Sequence, residues 1–236
     1  MAAARRQFAS RKDLFQTLRE TVLDRLRHRL DADGRASLVC AGGSTPRMLY
    51  PKLSDAKIDW ANVWVTVSDE RLVPAHHDAS NEKMVRLRLL QDRASEANFV
   101  PLISTERNPR DAEQAVEAGL ATMPQPFAVT LLGMGTDGHT ASLFPGDPDL
   151  KRGLDPETEH NVKAVILKSP PADAPFPRIT MTARALLNSD LVIVLVVGED
   201  KRTVLDRAIA GEAVDEMPIR AVLHQNRANV EVFWAP

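Results

Sequence analysis

The chain has 236 residues, of which 44% are hydrophobic, and its 30 Lys and Arg residues nearly balance its 32 Asp and Glu residues. This balance gives no reason to expect nucleic acid or an anionic membrane surface as a partner, and no apolar run approaches the roughly 18–20 residues that a membrane span needs. Cys40 is the only cysteine, so no intrachain disulfide can form and we expect a reducing, cytoplasmic compartment.

Strand and helix patterns alternate from one end of the chain to the other. The basic start is faintly similar to a transit peptide, but a short strand over 7–9 followed directly by a helix explains it better. Apolar residues at helical spacing predict that helix from about Asp13 to Leu30, and Asp33-Gly34 ends it as a turn. Further strands are predicted over 38–40, 62–70, 98–103, 127–132, 161–168, 190–198 and 229–235, and further helices from about Pro46 and over 80–94, 109–123 and 199–211.

This alternation predicts the α/β fold class, with an open, mainly parallel, Rossmann-like sheet that has helices on both faces. The almost continuous aliphatic run at 190–198 is typical of a strand covered on both faces. Because no repeat or linker divides the chain, we expect a single domain over residues 1–236. The proline-rich segment KSPPADAPFP (168–177) cannot be regular structure, and we interpret it as a functional or capping loop.

The segment LLGMGTDGHTASLFPG (131–146) contains a match to the G-x-G-x-x-G pattern of dinucleotide-binding turns. That pattern needs a helix directly after the glycines and an acidic residue at the end of the next strand. Pro145 and Gly146 leave no room for the helix, and no acidic residue ends a strand at the required distance. We therefore interpret the glycines as shaping a tight loop rather than holding a dinucleotide.

Other chemical motifs are absent or weak. The sequence has no nucleophile elbow, P-loop, H-E-x-x-H or paired-cysteine motif. His76-His77-Asp78 is better explained as a solvated loop than as a metal site, since adjacent loop residues rarely point at one ion. Cys40 is better explained as a small core residue than as a nucleophile.

In open parallel sheets, ligands bind in the crevice outside the carboxyl ends of the strands. Three predicted strands end in loops that are glycine-rich or polar, and all three loops could line one crevice. They are AGGSTP (41–46), SDER (68–71) and GMGTDGH (133–139).

The first of these loops, AGGSTP, places two glycines and two hydroxyls just before a predicted helix. Free backbone N–H groups and the positive end of the helix dipole suit an anion, above all a phosphate. A tight turn in which Ser44 or Thr45 caps the helix explains the same pattern, so both interpretations stay open. Arg178 and Lys201 lie near predicted strands and could contact the same phosphate, or could be ordinary surface cations.

The third loop holds Asp137 and His139, two residues apart with a glycine between them. A histidine side chain, with an ordinary pKa of about 6.5, can take a proton from water at neutral pH, and a nearby carboxylate can fix its tautomer. The alternative is a turn in which Asp137 caps backbone N–H groups and His139 packs. The second loop ends its strand with Asp69, Glu70 and Arg71, and one carboxylate and the guanidinium either hold a substrate or form a surface ion pair.

Five segments, taken in their order along the chain, carry a resemblance to a known family: AGGSTP, SDERLVPAHHDASN, LLGMGTDGHTASLFPG, PRITMT and VVGEDK. In order and spacing they resemble the 6-phosphogluconolactonases, which belong with the glucosamine-6-phosphate deaminases in one superfamily. The resemblance spans roughly Ser37 to Lys201. It implies a fold of the sugar-phosphate isomerase and deaminase type and no metal or organic cofactor.

The implied reaction is hydrolysis of 6-phospho-D-glucono-1,5-lactone to 6-phospho-D-gluconate, in the oxidative pentose phosphate pathway. The expected partner is this small sugar-phosphate lactone, with no nucleic acid and no membrane. The sequence does not determine the oligomeric state, and a monomer is slightly favoured. By matching position, the resemblance makes Asp137 and His139 the catalytic pair. With Asp69 added from its place at the strand end, the binding set is Gly42, Gly43, Ser44, Thr45, Asp69, Arg71, Arg178 and Lys201.

Two alternative functions are weighed on single residues. Deaminases carry a glutamate in an F-N-E-P-G segment where this chain has SLFPG, with Phe144 in that place, and tend to have tyrosine where this chain has Arg71. The aromatic ring of Phe144 cannot move protons as the glutamate does. This difference and the one at Arg71 both favour the lactonase. A non-catalytic sugar-phosphate sensor is expected to lose the acid–base pair, whereas Asp137 and His139 are both present.

Overall fold

The computed structural model describes residues 3–103, 109–169 and 175–236. Its strands are β1 Ala4–Gln7, β2 Ala36–Cys40, β3 Val63–Val67, β4 Asp69–Arg71, β5 Asn98–Phe99, β6 Val129–Leu132, β7 Val162–Val165, β8 Arg178–Met181, β9 Val192–Val197 and β10 Val230–Ala235. Its helices are α1 Arg11–Asp33, α2 Tyr50–Ser54, α3 Asn81–Arg88, α4 Pro109–Leu120, α5 Leu150–Leu154, α6 Ala183–Leu187, α7 Glu199–Ala210 and α8 Arg220–Leu223.

Seven strands form the central sheet in the order β1-β10-β9-β6-β2-β3-β5, and each neighbouring pair is parallel. The aliphatic strand β9 lies inside this sheet, between β10 and β6, and is buried along nearly its whole length. The predicted fold class is therefore confirmed as a mostly parallel central sheet with helices. No helix of the described part is long and apolar enough to cross a membrane.

Helix α1 follows its sequence signals closely. Ser10 caps its start by accepting a hydrogen bond from the Asp13 N–H, 3.2 Å away. Gly34 ends it in the left-handed region at φ 70°, where its N–H donates to the Leu30 carbonyl at 2.9 Å. The helix extends beyond the predicted bounds by two or three residues at each end because both caps lie outside the apolar periodicity.

A second, three-stranded antiparallel sheet, in the order β4-β8-β7, departs from the prediction. The predicted strand over 62–70 divides at Ser68 between β3 of the central sheet and β4 of this small sheet. The predicted strand over 161–168 contributes β7 to the small sheet, and β8 was not predicted at all. These strands are only three or four residues long, and β4 pairs with β8 across more than a hundred residues of sequence, so a local pattern does not reveal that pairing.

Two further predictions are corrected or untested. The strand predicted over 98–103 is reduced to β5, since Pro101 has no N–H to donate to a neighbouring strand. In the proline-rich segment, the described residues 168–169 and 175–177 carry neither helix nor strand, and residues 170–174 lie outside the described residues.

The small sheet lies against the carboxyl end of the central one. The Ser68 N–H donates to the Cys40 carbonyl at the end of β2, and the Ser68 carbonyl accepts from Met181 N–H at 2.9 Å. The chain therefore passes directly from β3 into β4 at the edge where the strand-end loops gather. Side chains of both sheets can thus face one cleft.

Candidate active site

A cleft of about 270 Å³ lies beyond the carboxyl ends of the central strands. It collects loops that are far apart in sequence and one face of the small sheet. Every binding residue predicted from the sequence lines it, together with His139, whereas Asp137 contacts His139 from outside the lining. The predicted residues that line it are Gly42, Gly43, Ser44, Thr45, Asp69, Arg71, His139, Arg178 and Lys201.

The loop AGGSTP leaves β2 with its backbone turned by Gly43, at φ +96°. A Cβ on Gly42 would stand 2.4 Å from the Asn81 side-chain oxygen, so glycine is needed for this close approach. Thr45 occupies the N-cap position of the short 3₁₀ turn over 46–48, but it makes no capping hydrogen bond. The capping alternative is therefore wrong for Thr45, whose hydroxyl is left to the cleft.

Asp137 and His139 form a hydrogen-bonded pair. The His139 Nδ1 lies 2.6 Å from Asp137 Oδ1, which also accepts the His139 backbone N–H at 3.1 Å. Partial burial raises the pKa of Asp137, but the hydrogen bond and the charge interaction with His139 outweigh it and lower that pKa to about 2. An ionised carboxylate at Nδ1 favours the tautomer with its proton there, which leaves Nε2 as the proton acceptor.

The glycines of the loop GMGTDGH make room for this pair. A Cβ on Gly135 would lie 2.1 Å from His139 Nδ1 and 2.5 Å from Asp137 Oδ1. Gly138 adopts φ +83° and packs against Met217, where a Cβ would come within 2.8 Å of the methionine side chain. The next helix begins only at Leu150, so these glycines open no dinucleotide-binding helix.

Arg71 and Arg178 face the cleft from directly opposed positions of β4 and β8. Like charges directly opposite each other destabilise a strand pair, so this register concentrates positive charge at a cost. The Arg71 guanidinium donates to the Ala79 carbonyl at 2.8 Å and to Asn81 Oδ1 at 3.0 Å. Its Nε is buried and has no hydrogen-bond partner among the described residues, while Arg71 as a whole lines the cleft.

Asp69 is a buried member of the same wall rather than a surface residue. Its carboxylate accepts the Ser142 hydroxyl, and Arg178 donates to that hydroxyl at 3.4 Å. The Asn81 amide donates to the Asp69 carbonyl at 2.7 Å. The surface ion pair considered for Asp69 and Arg71 is therefore wrong, since both side chains belong to an internal network.

Glu70 and Asn81 have structural roles in this network that the sequence did not predict: Glu70 is neither a substrate ligand at the cleft nor part of a surface ion pair. The fully buried Glu70 accepts the backbone N–H groups of Arg71, Asn81 and Glu82 at 2.7–2.8 Å and the Ser80 hydroxyl at 3.0 Å. Burial raises the pKa of Glu70, against the lowering effect of these hydrogen bonds. Glu70 thus ties β4 to the start of α3, a contact without a local sequence signal.

Lys201 completes the lining of the cleft, and Phe144 packs against two of the lining residues. The Phe144 ring lies 4.4 Å from the His139 ring and 4.9 Å from the Arg178 guanidinium carbon. Lys201, in the first turn of α7, donates to the Met134 carbonyl. Burial lowers the pKa of Lys201, and the charge of Asp137 partly opposes this effect.

The two weaker candidates lie outside this site. Burial raises the pKa of the Cys40 thiol to about 12, as expected for a core residue rather than a nucleophile. His76, His77 and Asp78 are exposed, and Asp78 pairs with Lys83 at 2.7 Å. Within the described ranges, no cluster of three or more His, Cys, Asp or Glu side chains is arranged to hold a metal ion.

The chain is similar over nearly its whole length to a known protein family and to individual proteins. The family described as glucosamine-6-phosphate isomerases/6-phosphogluconolactonase matches residues 9–234. A 6-phosphogluconolactonase of Caulobacter vibrioides is 40% identical over 232 residues, covering 97% of this chain and 95% of that protein. One of Mesorhizobium japonicum is 41% identical over 229 residues, covering 97% and 94%.

Solved structures give the same comparison in three dimensions. The crystal structure of a 6-phosphogluconolactonase from Shewanella baltica OS155 has a TM-score of 0.93 at 40% identity and covers 99% of this chain and 98% of that one. A monomeric glucosamine-6-phosphate deaminase has a TM-score of 0.75 at 18% identity, with 97% and 96% covered. At that identity the second likeness shows the shared fold alone.

Proposed function

The chain belongs to the family of glucosamine-6-phosphate isomerases and 6-phosphogluconolactonases, and from that premise we propose that it hydrolyses 6-phospho-D-glucono-1,5-lactone to 6-phospho-D-gluconate. The relatives named above carry the name of this activity. The reaction opens a cyclic ester with water, so the protein is a carboxylic ester hydrolase of the oxidative pentose phosphate pathway.

The observation that carries the proposal is that His139, hydrogen-bonded to Asp137, lines a cleft rich in anion-binding groups. The pair supplies a proton acceptor at His139 Nε2. The loop over 42–45, with Arg178 and Lys201, supplies N–H groups, hydroxyls and two cations suited to a phosphate. One cleft therefore offers both a place to anchor the substrate and a group to activate water.

In the proposed reaction, His139 takes a proton from water as the water oxygen attacks C1 of the lactone. Asp137 holds the imidazole in the required tautomer and stabilises its charged form. Arg71, which lines the cleft, stabilises the negative oxygen of the tetrahedral intermediate through its guanidinium. When the C1–O bond breaks, His139 returns the proton to the ring oxygen, which leaves as the C5 hydroxyl of the product.

Binding of the phosphate at the far end of the substrate positions C1 against the histidine. Interactions with a part of the substrate that does not react can lower the barrier in this way, because their binding free energy compensates for the entropy that is lost when the reactants are aligned. No protein nucleophile is needed, since a cyclic ester of this kind reacts with a well-directed water.

The deaminase alternative is disfavoured by the surroundings of the histidine. The Phe144 ring packs against the His139 ring where the deaminases carry a glutamate, so no second carboxylate enters from that segment. Acid–base chemistry on an amino sugar would lack the group that supports the histidine there.

The test supplies freshly made 6-phosphogluconolactone and follows acid release above the spontaneous rate. Ammonia release from glucosamine 6-phosphate is measured in parallel. Lactone hydrolysis without ammonia release supports the proposal. Ammonia release alone would replace it with the deaminase, and ligand binding without either reaction would replace it with a sensor.

A further inference from the structure

The Phe144 ring packs between His139 and Arg178, two residues that line the cleft. It lies 4.4 Å from the His139 ring and 4.9 Å from the Arg178 guanidinium carbon, and it is 5% exposed. A ring held between these two groups limits the rotation of the imidazole. Whatever holds Phe144 therefore also orients His139.

Phe144 begins a tight turn that ends at Asp147. The Asp147 N–H donates to the Phe144 carbonyl at 3.2 Å, and Gly146 adopts φ +80°. Proline followed by a glycine with positive φ is the pattern of a type II turn. Because this turn is short and closed, the place of Asp147 sets the place of Phe144.

Asp147 is fastened to the small sheet by a buried ion pair. Its carboxylate pairs with the ammonium of Lys163 on β7, and the side chains of Lys163 and Asp147 are 0% and 3% exposed. Gly153 leaves room for the lysine, since a Cβ there would stand 2.8 Å from Lys163 Cδ. A buried ion pair of this kind adds little net stability compared with apolar residues of the same volume. It does require one partner in one geometry, so it fixes where the two side chains lie.

The other two strands of the small sheet hold the same loop at Ser142. Asp69 on β4 accepts the Ser142 hydroxyl, and Thr180 on β8 accepts the Ser142 N–H at 3.1 Å. Lys163 on β7 adds the attachment at the far end of the loop. Each strand of the small sheet thus contributes a contact to the segment between His139 and Asp147.

We propose that Lys163 and Asp147 are a positioning pair, which holds the Phe144 turn so that the Phe144 ring orients His139 for proton transfer. The expected effect of this pair on kcat rests on the proposed function. Neither residue lines the cleft, so the pair acts through Phe144 rather than on the substrate.

The test replaces the pair by neutral residues of similar volume, in the double variant Lys163→Met/Asp147→Asn. The asparagine still accepts the Asp149 N–H that Asp147 accepts at 3.0 Å, and no lone charge stays buried. The matched control is Arg29→Met/Asp190→Asn, which removes a partly buried ion pair between α1 and the residue two before β9, outside the cleft.

We expect kcat to fall by roughly 10- to 100-fold in the first double variant, with KM changed by less than about threefold, since orientation rather than binding is lost. The control is expected to keep kcat within about twofold of the wild type. The second readout is the His139 ring-proton NMR signal, assigned by its absence in His139→Ala. This signal should move in the first variant and not in the control, because the nearby Phe144 ring current changes.

Wild-type kcat and an unmoved His139 signal in the folded first variant would overturn the proposal. Equal losses in the two double variants would also overturn it, since they would indicate general destabilisation. If the first variant does not fold, Asp147→Asn alone is measured, and it must shift kcat and the signal in the same direction. Absence of lactonase activity in the wild type would refute the proposed function, while the NMR signal would still test the positioning.

Discussion

The loops of the parallel sheet place their functional side chains where glycines leave room for them, whereas the small antiparallel sheet supplies cations that are held by a buried polar network. In the first region, glycines stand where a Cβ would collide, 2.4 Å from Asn81 at Gly42 and 2.1 Å from His139 at Gly135. In the second, Arg71 and Arg178 project from opposed positions and are held by carbonyl, amide and hydroxyl groups. The geometry of the proposed site thus depends on the absence of Cβ atoms in one region and on a buried polar network in the other.

The two regions also respond differently to substitution. Adding one methyl group to a glycine loop displaces the reacting groups directly. Removing one member of a buried polar network leaves donors or acceptors without partners and lowers stability first. Single substitutions in the parallel-sheet loops should therefore change turnover first, whereas single substitutions that leave a buried group of the small-sheet network without a partner should first change the free energy of unfolding.

The largest effect is expected for His139→Ala, which removes the proposed proton acceptor. We expect kcat for lactone hydrolysis to fall by about 10²- to 10⁴-fold, the usual contribution of a general base, while the fold is kept. Initial rates of acid release, corrected for the spontaneous reaction, measure it. His28→Ala, an exposed position on α1, is the control, and wild-type turnover in His139→Ala would remove the histidine from the mechanism.

The next effect is expected for Gly135→Ala, which tests whether missing atoms define the first region. The new Cβ would lie 2.1 Å from His139 Nδ1, so the Asp137–His139 pair must move. We expect kcat to fall by roughly 10²-fold, as for a misplacement of about 1 Å, with a small change in melting temperature. Gly119→Ala on α4 has ordinary space for a Cβ and should keep full turnover. Full turnover in Gly135→Ala would mean that the loop tolerates a side chain there.

The same division explains what could be predicted from the sequence. The central strands, helix α1 and the loop GMGTDGH follow local signals: aliphatic runs, caps and glycines. The residues expected to bind substrate do converge on one cleft, although their roles stay predictions.

The small sheet and its network were missed for a physical reason. Strand β8 has four residues, and its partner β4 lies more than a hundred residues away, so no local periodicity identifies the pair. The contacts of Ser142 with Asp69 and Thr180 also join residues far apart in the sequence. A buried carboxylate that accepts backbone N–H groups has the same sequence appearance as an exposed one.

Lys201 offers a test of the anchoring half of the cleft through pH. Burial lowers the pKa of its ammonium below the usual value of 10.5, against the opposing charge of Asp137. The charge is present at neutral pH and is lost as the pH rises through that lowered pKa, so affinity for 6-phosphogluconate should weaken on the alkaline side. Calorimetric titration of this stable product at several pH values measures it.

Substitution of Lys201 completes that test. At neutral pH, Lys201→Met should weaken product binding by about 10- to 100-fold, the effect of one hydrogen bond from a charged group, and should remove its contribution to the alkaline weakening. Lys151→Met, at an exposed position of α5, should bind like the wild type. Unchanged affinity in Lys201→Met would exclude this lysine from the phosphate site.

The smallest effect, and one on stability rather than turnover, is expected for Glu70→Gln behind the small sheet. Its two carboxylate oxygens accept three backbone N–H groups and the Ser80 hydroxyl, whereas a glutamine would turn an NH₂ group toward some of these donors. The unsatisfied buried donors should lower the free energy of unfolding by about 1–3 kcal/mol. Urea unfolding measures this loss against the exposed control Glu96→Gln, and an equal midpoint in both variants would mean that β4 needs no such carboxylate. Arg71 adjoins Glu70, and its guanidinium is held by Asn81 at the start of α3. Turnover of Glu70→Gln should therefore fall only under conditions in which the hydrogen bonds between β4 and α3 are broken.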